Sequence, residues 1–368
     1  MPDCCDPYDG HPGLRHPGNI PPYEQNYPMD LECTHGKRGG AMKNILVTGG
    51  FGFIGSHLVE ALLGIPDNQV HVVDDMSTSP INVQSYLRQL QGVERLTYSL
   101  STVHDYFRRT KIPVFDEVYH LASVLGPVRL LNHSGEILRS IVEDTYDILD
   151  YCVSHKARLV DFSTGEVYGG GNKGVCREDG AMIVPPKNSA RLEYAVGKLG
   201  CEIATRNVAT IGKIHATIVR PFNVTGPRQA PAGGFVLPRF ISQALAGTPL
   251  TVYGNGSQVR AFTHVQDIAR GVILMMERGT SGAAYNIGNP ANKTTVLELA
   301  QLVVKTTASA SEISFVDPTT LWGALFEECP DRYPDVNRAI TELDWQPCRG
   351  LDEIVHDSAR YMRDGRCD

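Results

Sequence analysis

Apolar and polar positions alternate between two spacings along most of this chain. Short apolar runs at residues 44–48, 69–73, 95–99, 114–120 and 157–162 read as buried strands. Between them the apolar residues recur at helical intervals. One such stretch starts near Phe53 and carries His57, Leu58, Ala61 and Leu62, and others span residues 136–154 and 190–208. Strand and helix in regular alternation predict an α/β fold on a parallel sheet. A sixth strand closes at Arg220 and Pro221. Residues 1–41 break the pattern: they are rich in Pro, Gly, His, Asp and Tyr, have no apolar period and cannot bury enough surface to offset their ordering entropy. A flexible tail is expected there.

Composition narrows the class. A chain of 368 residues, 42% hydrophobic and 20% charged, can bury a sizeable core and has the length for two lobes. Its net charge of -7 argues against nucleic acid as a partner. No apolar run approaches the roughly twenty residues that span a bilayer, and no signal-like hydrophobic stretch opens the chain, so a cytoplasmic protein with no membrane partner is expected. Nine cysteines, without paired metal-type spacing apart from adjacent Cys4 and Cys5, predict free thiols and no metal site.

The chemistry begins at the first turn. Gly49, Gly52 and Gly55 form a GxxGxxG sequence between the first strand and the helix that includes Phe53 and Ile54. Such glycines give a tight turn, room for backbone N–H groups to approach a pyrophosphate, and close packing of helix on strand. The second strand ends in Asp74 and Asp75, about twenty residues further on, where a carboxylate accepts from the adenosine ribose diol and repels a 2′-phosphate. NAD is therefore expected over NADP. Far downstream, Tyr194 and Lys198 stand four apart, so on a helix they share one face.

With Val118-Tyr119-His120-Leu121-Ala122-Ser123 between them, the two motifs resemble the extended short-chain dehydrogenase/reductase superfamily, from about residue 43 to about residue 362. Members of the resembled branch are NAD-dependent nucleotide-sugar epimerases and dehydratases. The resemblance implies a Rossmann-type doubly wound parallel sheet with a smaller C-terminal substrate-binding lobe. It divides the chain into the tail, an NAD-binding domain over 42–223 that carries the catalytic residues, and a lobe over 224–366, interleaved with returning strands, that binds the nucleotide sugar. Leu121, Ala122 and Ser123 then lie along the cofactor at the carboxyl edge of the fourth strand. His120 reads as part of a strand end. Where the family commonly carries an Asp after the third strand, this chain has Ser99-Leu100-Ser101, so a serine takes over the adenine contact.

The same resemblance assigns roles to particular side chains. Tyr194 is the general base that takes a proton from the sugar hydroxyl being oxidised, and Thr164 orients that hydroxyl. A free tyrosine is a poor base at neutral pH, so Lys198 and the positive nicotinamide ring are expected to bring its pKa down. Lys198 also holds the nicotinamide ribose. The run Thr164-Gly165-Glu166-Val167-Tyr168-Gly169 lacks the Asp with which family dehydratases protonate a leaving hydroxyl, yet it keeps Glu166. That combination is similar to UDP-glucuronate decarboxylases, including UDP-xylose synthases and the decarboxylase domain of the lipid A aminoarabinose pathway. Arg191, three before Tyr194, and Arg332 in Asp331-Arg332-Tyr333-Pro334-Asp335 match the same group. Gly165, where those enzymes carry Ser, departs from it.

The implied reaction is C4 oxidation of UDP-glucuronate and loss of its carboxylate, with 4-epimerase and 4,6-dehydratase chemistry as the alternatives and a non-catalytic NAD-binding sensor as a distant one. Asn223 and Arg260 match family contacts to the sugar-linked diphosphate, and Arg239 lies near the base or else in a surface salt bridge. Family members usually form homodimers through two helices, here 137–154 and 190–208. Trp345 is expected to pack the small lobe.

Overall fold

The computed structural model describes residues 42–169, 174–184, 189–317 and 331–364. The expected N-terminal tail lies outside the described residues. Seven parallel strands form one sheet. They are β1 (Lys43–Thr48), β2 (Asn68–Asp74), β3 (Leu96–Leu100), β4 (Glu117–His120), β5 (Arg158–Phe162), β6 (Ala216–Pro221) and β7 (Ala284–Ile287). Their order across the sheet is β7-β6-β5-β4-β1-β2-β3. The helices that serve the argument are α1 (Phe53–Leu63), α2 (Val83–Gln89), α3 (Val103–Phe107), α4 (Pro127–Asn132), α5 (Ile137–His155), α6 (Ala190–Thr210), α7 (Val236–Leu245), α8 (Val265–Arg278) and α9 (Val296–Thr307).

This is the doubly wound arrangement, and chain direction reverses its lateral course at β1. Thr48, the last residue of β1, stands opposite Val73 on one side and His120 on the other. The turns that follow β1 and β4 therefore leave the sheet side by side at its carboxyl edge, where ligands bind in such sheets. The central strands are buried on both faces, with Ile45, Leu46, Val47, Val72, Val118 and Val160 all inaccessible to solvent, which is why their sequences are runs and not alternations. One core cluster joins the sheet to α3, α5 and α6. A second is built by α7, α9, the strand Leu250–Tyr253 and the helix Leu351–Arg363.

Two expectations shift. The fourth strand begins at Glu117 and not near 114, because the Tyr151 hydroxyl accepts from Phe115 N and donates to Pro113 O, so a side chain replaces part of the ladder there. Trp345 is fully buried, but its indole donates to Asp267 O on α8 and fills the space above Gly271, which ties it to the helix that packs on α1 and the main sheet. Among the described residues no helix is long and apolar enough to cross a membrane, and Cys152, Cys176, Cys201 and Cys348 are free thiols.

Candidate active site

The turn after β1 shows why glycine is needed. Gly49 has φ +68°, its N–H donates to Val73 O at 2.8 Å, and its carbonyl accepts from Gly52 N at 3.0 Å. A Cβ on Gly55 would lie 2.0 Å from that same carbonyl, so α1 can pack against the turn only if residue 55 has no side chain. Thr48 fixes the neighbouring turn: its hydroxyl accepts from Leu121 N and Ala122 N, each at 3.2 Å, and meets His120 Nδ1 at 2.8 Å. Burial pushes His120 down to about 3, so it is a neutral strut, as its strand-end position suggested. The first turn of α1 has no side-chain cap, and its N–H groups face a cleft of about 390 Å³. Every residue assigned to the dinucleotide borders this cleft: the three glycines, Phe53, Ile54, Asp74, Asp75, Leu121, Ala122, Ser123, Tyr194 and Lys198.

The acidic end of β2 does more than its sequence position suggested. Asp74 Oδ2 accepts from Phe51 N at 2.9 Å and Oδ1 from Met76 N at 2.8 Å, so the carboxylate braces the glycine turn from inside. Burial raises its pKa and those backbone donors oppose the rise. Asp74 also borders the cleft, so the same carboxylate is open to a ligand there. Past β3, Ser101 and Thr102 border the cleft, whereas Ser99 is engaged by His71 and Arg109 and stands away from it.

A second cleft, of about 260 Å³, adjoins the first, and Tyr194 borders both. Thr164 caps the short 3-10 turn Gly165–Tyr168, its hydroxyl accepting from Glu166 N at 3.1 Å. That geometry turns Glu166 toward three guanidinium groups. Arg332 grips it with both arms, Nη1 to Oε2 at 2.7 Å and Nη2 to Oε1 at 2.5 Å, while Arg191 Nη1 reaches Oε2 at 3.5 Å. Burial alone would raise the Glu166 pKa, but the charges of Arg191, Arg332 and Arg260 outweigh it and hold the carboxyl well below the usual carboxylate range. The strand Val259–Ala261 sets two of these arginines side by side: Arg260 bridges to Arg332, and Val259 N donates to Asp331 Oδ1.

The phenol of Tyr194 is buried, and Tyr194 and Thr164 border the same cleft. The protein's own groups do not bring the phenol's pKa down. Burial pushes it well up, the Glu166 charge adds to the rise, and Thr164 and Arg332 oppose it. Lys198 reaches past the phenol and donates to Phe162 O at 2.8 Å, because the end of β5 lies under that face of α6. Burial lowers the Lys198 pKa, and Asp161, Cys201 and Asp144 support its charge.

The remaining positions also border the second cleft. Asn223, at φ +38°, donates through Nδ2 to Ala261 O at 3.1 Å. The Arg239 guanidinium lies 4.1 Å from the Tyr253 ring centroid and donates to Thr251 O. Phe235, in the stretch expected over the base, borders both clefts, as does Gln229, which sequence reasoning missed. It also missed a buried support beneath Thr164. Glu202 accepts from Ser163 Oγ at 2.9 Å and from Arg220, and Arg220 in turn contacts the Tyr168 hydroxyl. Glu202 follows Lys198 by one helical turn, the only signal that could have flagged it.

The family described as NAD dependent epimerase/dehydratase matches residues 45–288. A UDP-N-acetyl-alpha-D-glucosaminuronate decarboxylase from Bacillus cytotoxicus is 33% identical over 330 residues, covering 88% of this chain and 98% of the relative. UDP-glucuronic acid decarboxylase 1 from Danio rerio is 33% identical, covering 87% and 72%. Among solved structures, UDP-glucose 4-epimerase from Thermotoga maritima, determined with UDP-glucose, superposes with a TM-score of 0.74 at 26% identity, covering 88% of this chain and 99% of that one. The dTDP-glucose 4,6-dehydratase from Streptomyces venezuelae, with NAD bound, gives 0.75 at 27% identity, covering 88% and 98%. The chain belongs to the NAD-dependent epimerase/dehydratase family, and its cofactor is NAD.

Proposed function

From that membership, we propose that this enzyme decarboxylates a UDP-linked uronate, UDP-glucuronate in the first instance, after oxidising it at C4. One observation carries the reading: three arginines surround one glutamate at the inner end of the nucleotide-sugar cleft. Arg191 and Arg332 border this cleft beside Glu166 and hold its carboxyl ionised, so a substrate carboxylate placed there would meet guanidinium donors. A neutral hexose has no carboxylate for these guanidinium groups to grip. The named relatives from Bacillus cytotoxicus and Danio rerio are both decarboxylases of UDP-uronates.

Chemistry follows from the side chains. Bound NAD supplies the hydride acceptor at C4. Tyr194 takes the proton of the C4 hydroxyl, and Thr164, which borders the same cleft, favours the phenolate and orients the sugar. Lys198, one helical turn after Tyr194 on α6, would hold the nicotinamide ribose. Once C4 is a ketone the sugar is a β-keto acid, and the electrons of the breaking C5–C6 bond pass into an enolate. Thr164 and the now protonated Tyr194 donate to the enolate oxygen. Arg332 and Arg191 hold the substrate carboxylate until it leaves as carbon dioxide, and C5 takes its proton from solvent water beside the Glu166 carboxylate. Asn223 and Arg260 bind the sugar-linked diphosphate, and Arg239 lies near the base. The product is UDP-xylose if hydride returns to C4 and the 4-keto pentose if it does not.

The enzyme is further read as a cytoplasmic homodimer. α5 and α6 pack on each other and leave Leu138, Tyr146, Val196 and Ile203 exposed, an apolar face suited to a second copy. Incubation with NAD and, separately, UDP-glucuronate, UDP-glucose and UDP-N-acetylglucosamine tests the reaction. The expected outcome is loss of roughly 44 mass units, one carbon dioxide, from the uronate alone. Dehydration or epimerisation of a neutral sugar in its place overturns the proposal.

A further inference from the structure

Residues 222–229, which follow β6, run from one cleft to the other. Asn223 borders the nucleotide-sugar cleft and Gln229 borders both. Within this segment Asn223 has φ +38°, Gly226 +150° and Arg228 +70°. A non-glycine residue in the left-handed region is strained and persists only where its surroundings fix it.

What fixes Arg228 is the helix that begins at the cofactor cleft. Its Nη2 donates to Glu60 Oε1 at 2.6 Å and its Nη1 to Ser56 Oγ at 3.4 Å, while the guanidinium lies 5.4 Å from the Tyr86 ring centroid. Tyr86 is itself bound to Ser56 O at 2.8 Å. Next to it, His57 Nε2 meets Pro227 O at 3.0 Å, and burial with the Arg228 charge keeps that imidazole neutral, so Nε2–H donates. Ser56, His57 and Glu60 all lie on α1, whose first residues Phe53 and Ile54 border both clefts. The other end of the segment is tied as firmly: Asn223 O accepts from Thr263 N at 3.2 Å, and Gln229 is held by Thr225 Oγ1 at 2.6 Å and Val224 O at 3.0 Å.

A partly exposed ion pair contributes little to stability by itself. Here it closes a mechanical path from the N-terminus of α1 to Asn223. We propose that Glu60 and Arg228 are positioning residues that clamp the 223–229 segment to the cofactor helix, so that NAD and the UDP-sugar strengthen each other's binding. The proposal rests on reading the two clefts as NAD and UDP-sugar sites and not on decarboxylation.

The test is the affinity for UDP, measured calorimetrically with and without saturating NAD, in the wild type, Arg228→Met and Glu60→Gln. Arg228→Met keeps the apolar stem over Tyr86, and Glu60→Gln keeps a side-chain oxygen while removing the charge. In the wild type NAD should tighten UDP binding by about fivefold or more, the low end of measured couplings. In each folded variant the ratio should fall below about twofold. A clamp that only stabilised the fold would lower the melting temperature and leave the ratio intact, and that result overturns the proposal, as does a wild type in which NAD leaves UDP affinity unchanged. Should Arg228→Met fail to fold, Glu60→Gln decides alone. Absence of carbon dioxide release from the wild type would sink the proposed reaction and leave this measurement standing.

Discussion

The two clefts that meet at Tyr194 are made of different materials. The dinucleotide cleft is largely backbone: a glycine turn, the uncapped start of α1, and a strand-end turn pinned by Thr48, with carboxylates at the ribose end. The nucleotide-sugar cleft is largely side chain, and its charge comes from Arg191, Arg239, Arg260 and Arg332, drawn from four separate stretches of sequence. The first recognises a ligand common to a whole family, for which backbone donors suffice. The second must choose among sugars, and choice needs charged side chains placed where one substrate differs from another.

Tyr194 belongs to both, so its replacement should have the largest effect. Tyr194→Phe removes the proton acceptor alone and should lower turnover by about 10² to 10⁴ while leaving NAD affinity within about twofold of wild type. Turnover within a few-fold of wild type would take Tyr194 out of the mechanism. The acidic end of β2 sharpens the contrast from the other side. NADPH should bind on the order of a hundredfold more weakly than NADH in a fluorescence titration, since its 2′-phosphate would face Asp74 and Asp75. Equal affinities would leave those carboxylates with only their bracing role.

This difference of material also decided what could be read in advance. Strands, glycine turn and catalytic helix were legible because each is a local pattern whose spacing is enforced by its own backbone: Gly49, Gly52 and Gly55, or Tyr194 and Lys198. The arginine cluster was legible only through resemblance, since no periodicity links position 166 to position 332; the pairing of Arg260 with Arg332 is set by strand contacts made after the chain folds. Gln229, Glu202 and the Glu60 to Arg228 pair carry no motif at all. The pKa that the protein alone gives Tyr194 was out of reach for a related reason. Helical spacing places Lys198 on the right face, but burial and the distant Glu166 decide the direction of the shift.

Smaller effects separate the clefts further. Lys198→Ala should weaken NAD binding by about tenfold and leave UDP affinity unchanged apart from any coupling between the sites, because Lys198 borders only the first cleft. Asp144 offers the mildest probe. Burial raises its pKa to about 6, so between its unfolded value and 6 the folded protein holds a proton that the unfolded chain has released. Its contribution is therefore most favourable below pH 4 and is lost as the pH rises through 6. Asp144→Asn should raise stability at pH 7 by on the order of 1 kcal/mol, with the gain vanishing near pH 4. Urea melts at the two pH values check it, and a gain that is equal at both would contradict the buried-acid explanation.

The central claim is that Glu166 and its arginines exist to remove a carboxylate. UDP-glucuronate carrying ¹³C at C6, incubated with the enzyme and NAD, should release labelled carbon dioxide at a steady rate. Glu166→Gln and Arg332→Ala should each lower that rate at least about a hundredfold with NAD affinity intact. Wild-type enzyme that releases no labelled carbon dioxide, or both variants releasing it at the wild-type rate, would contradict the account.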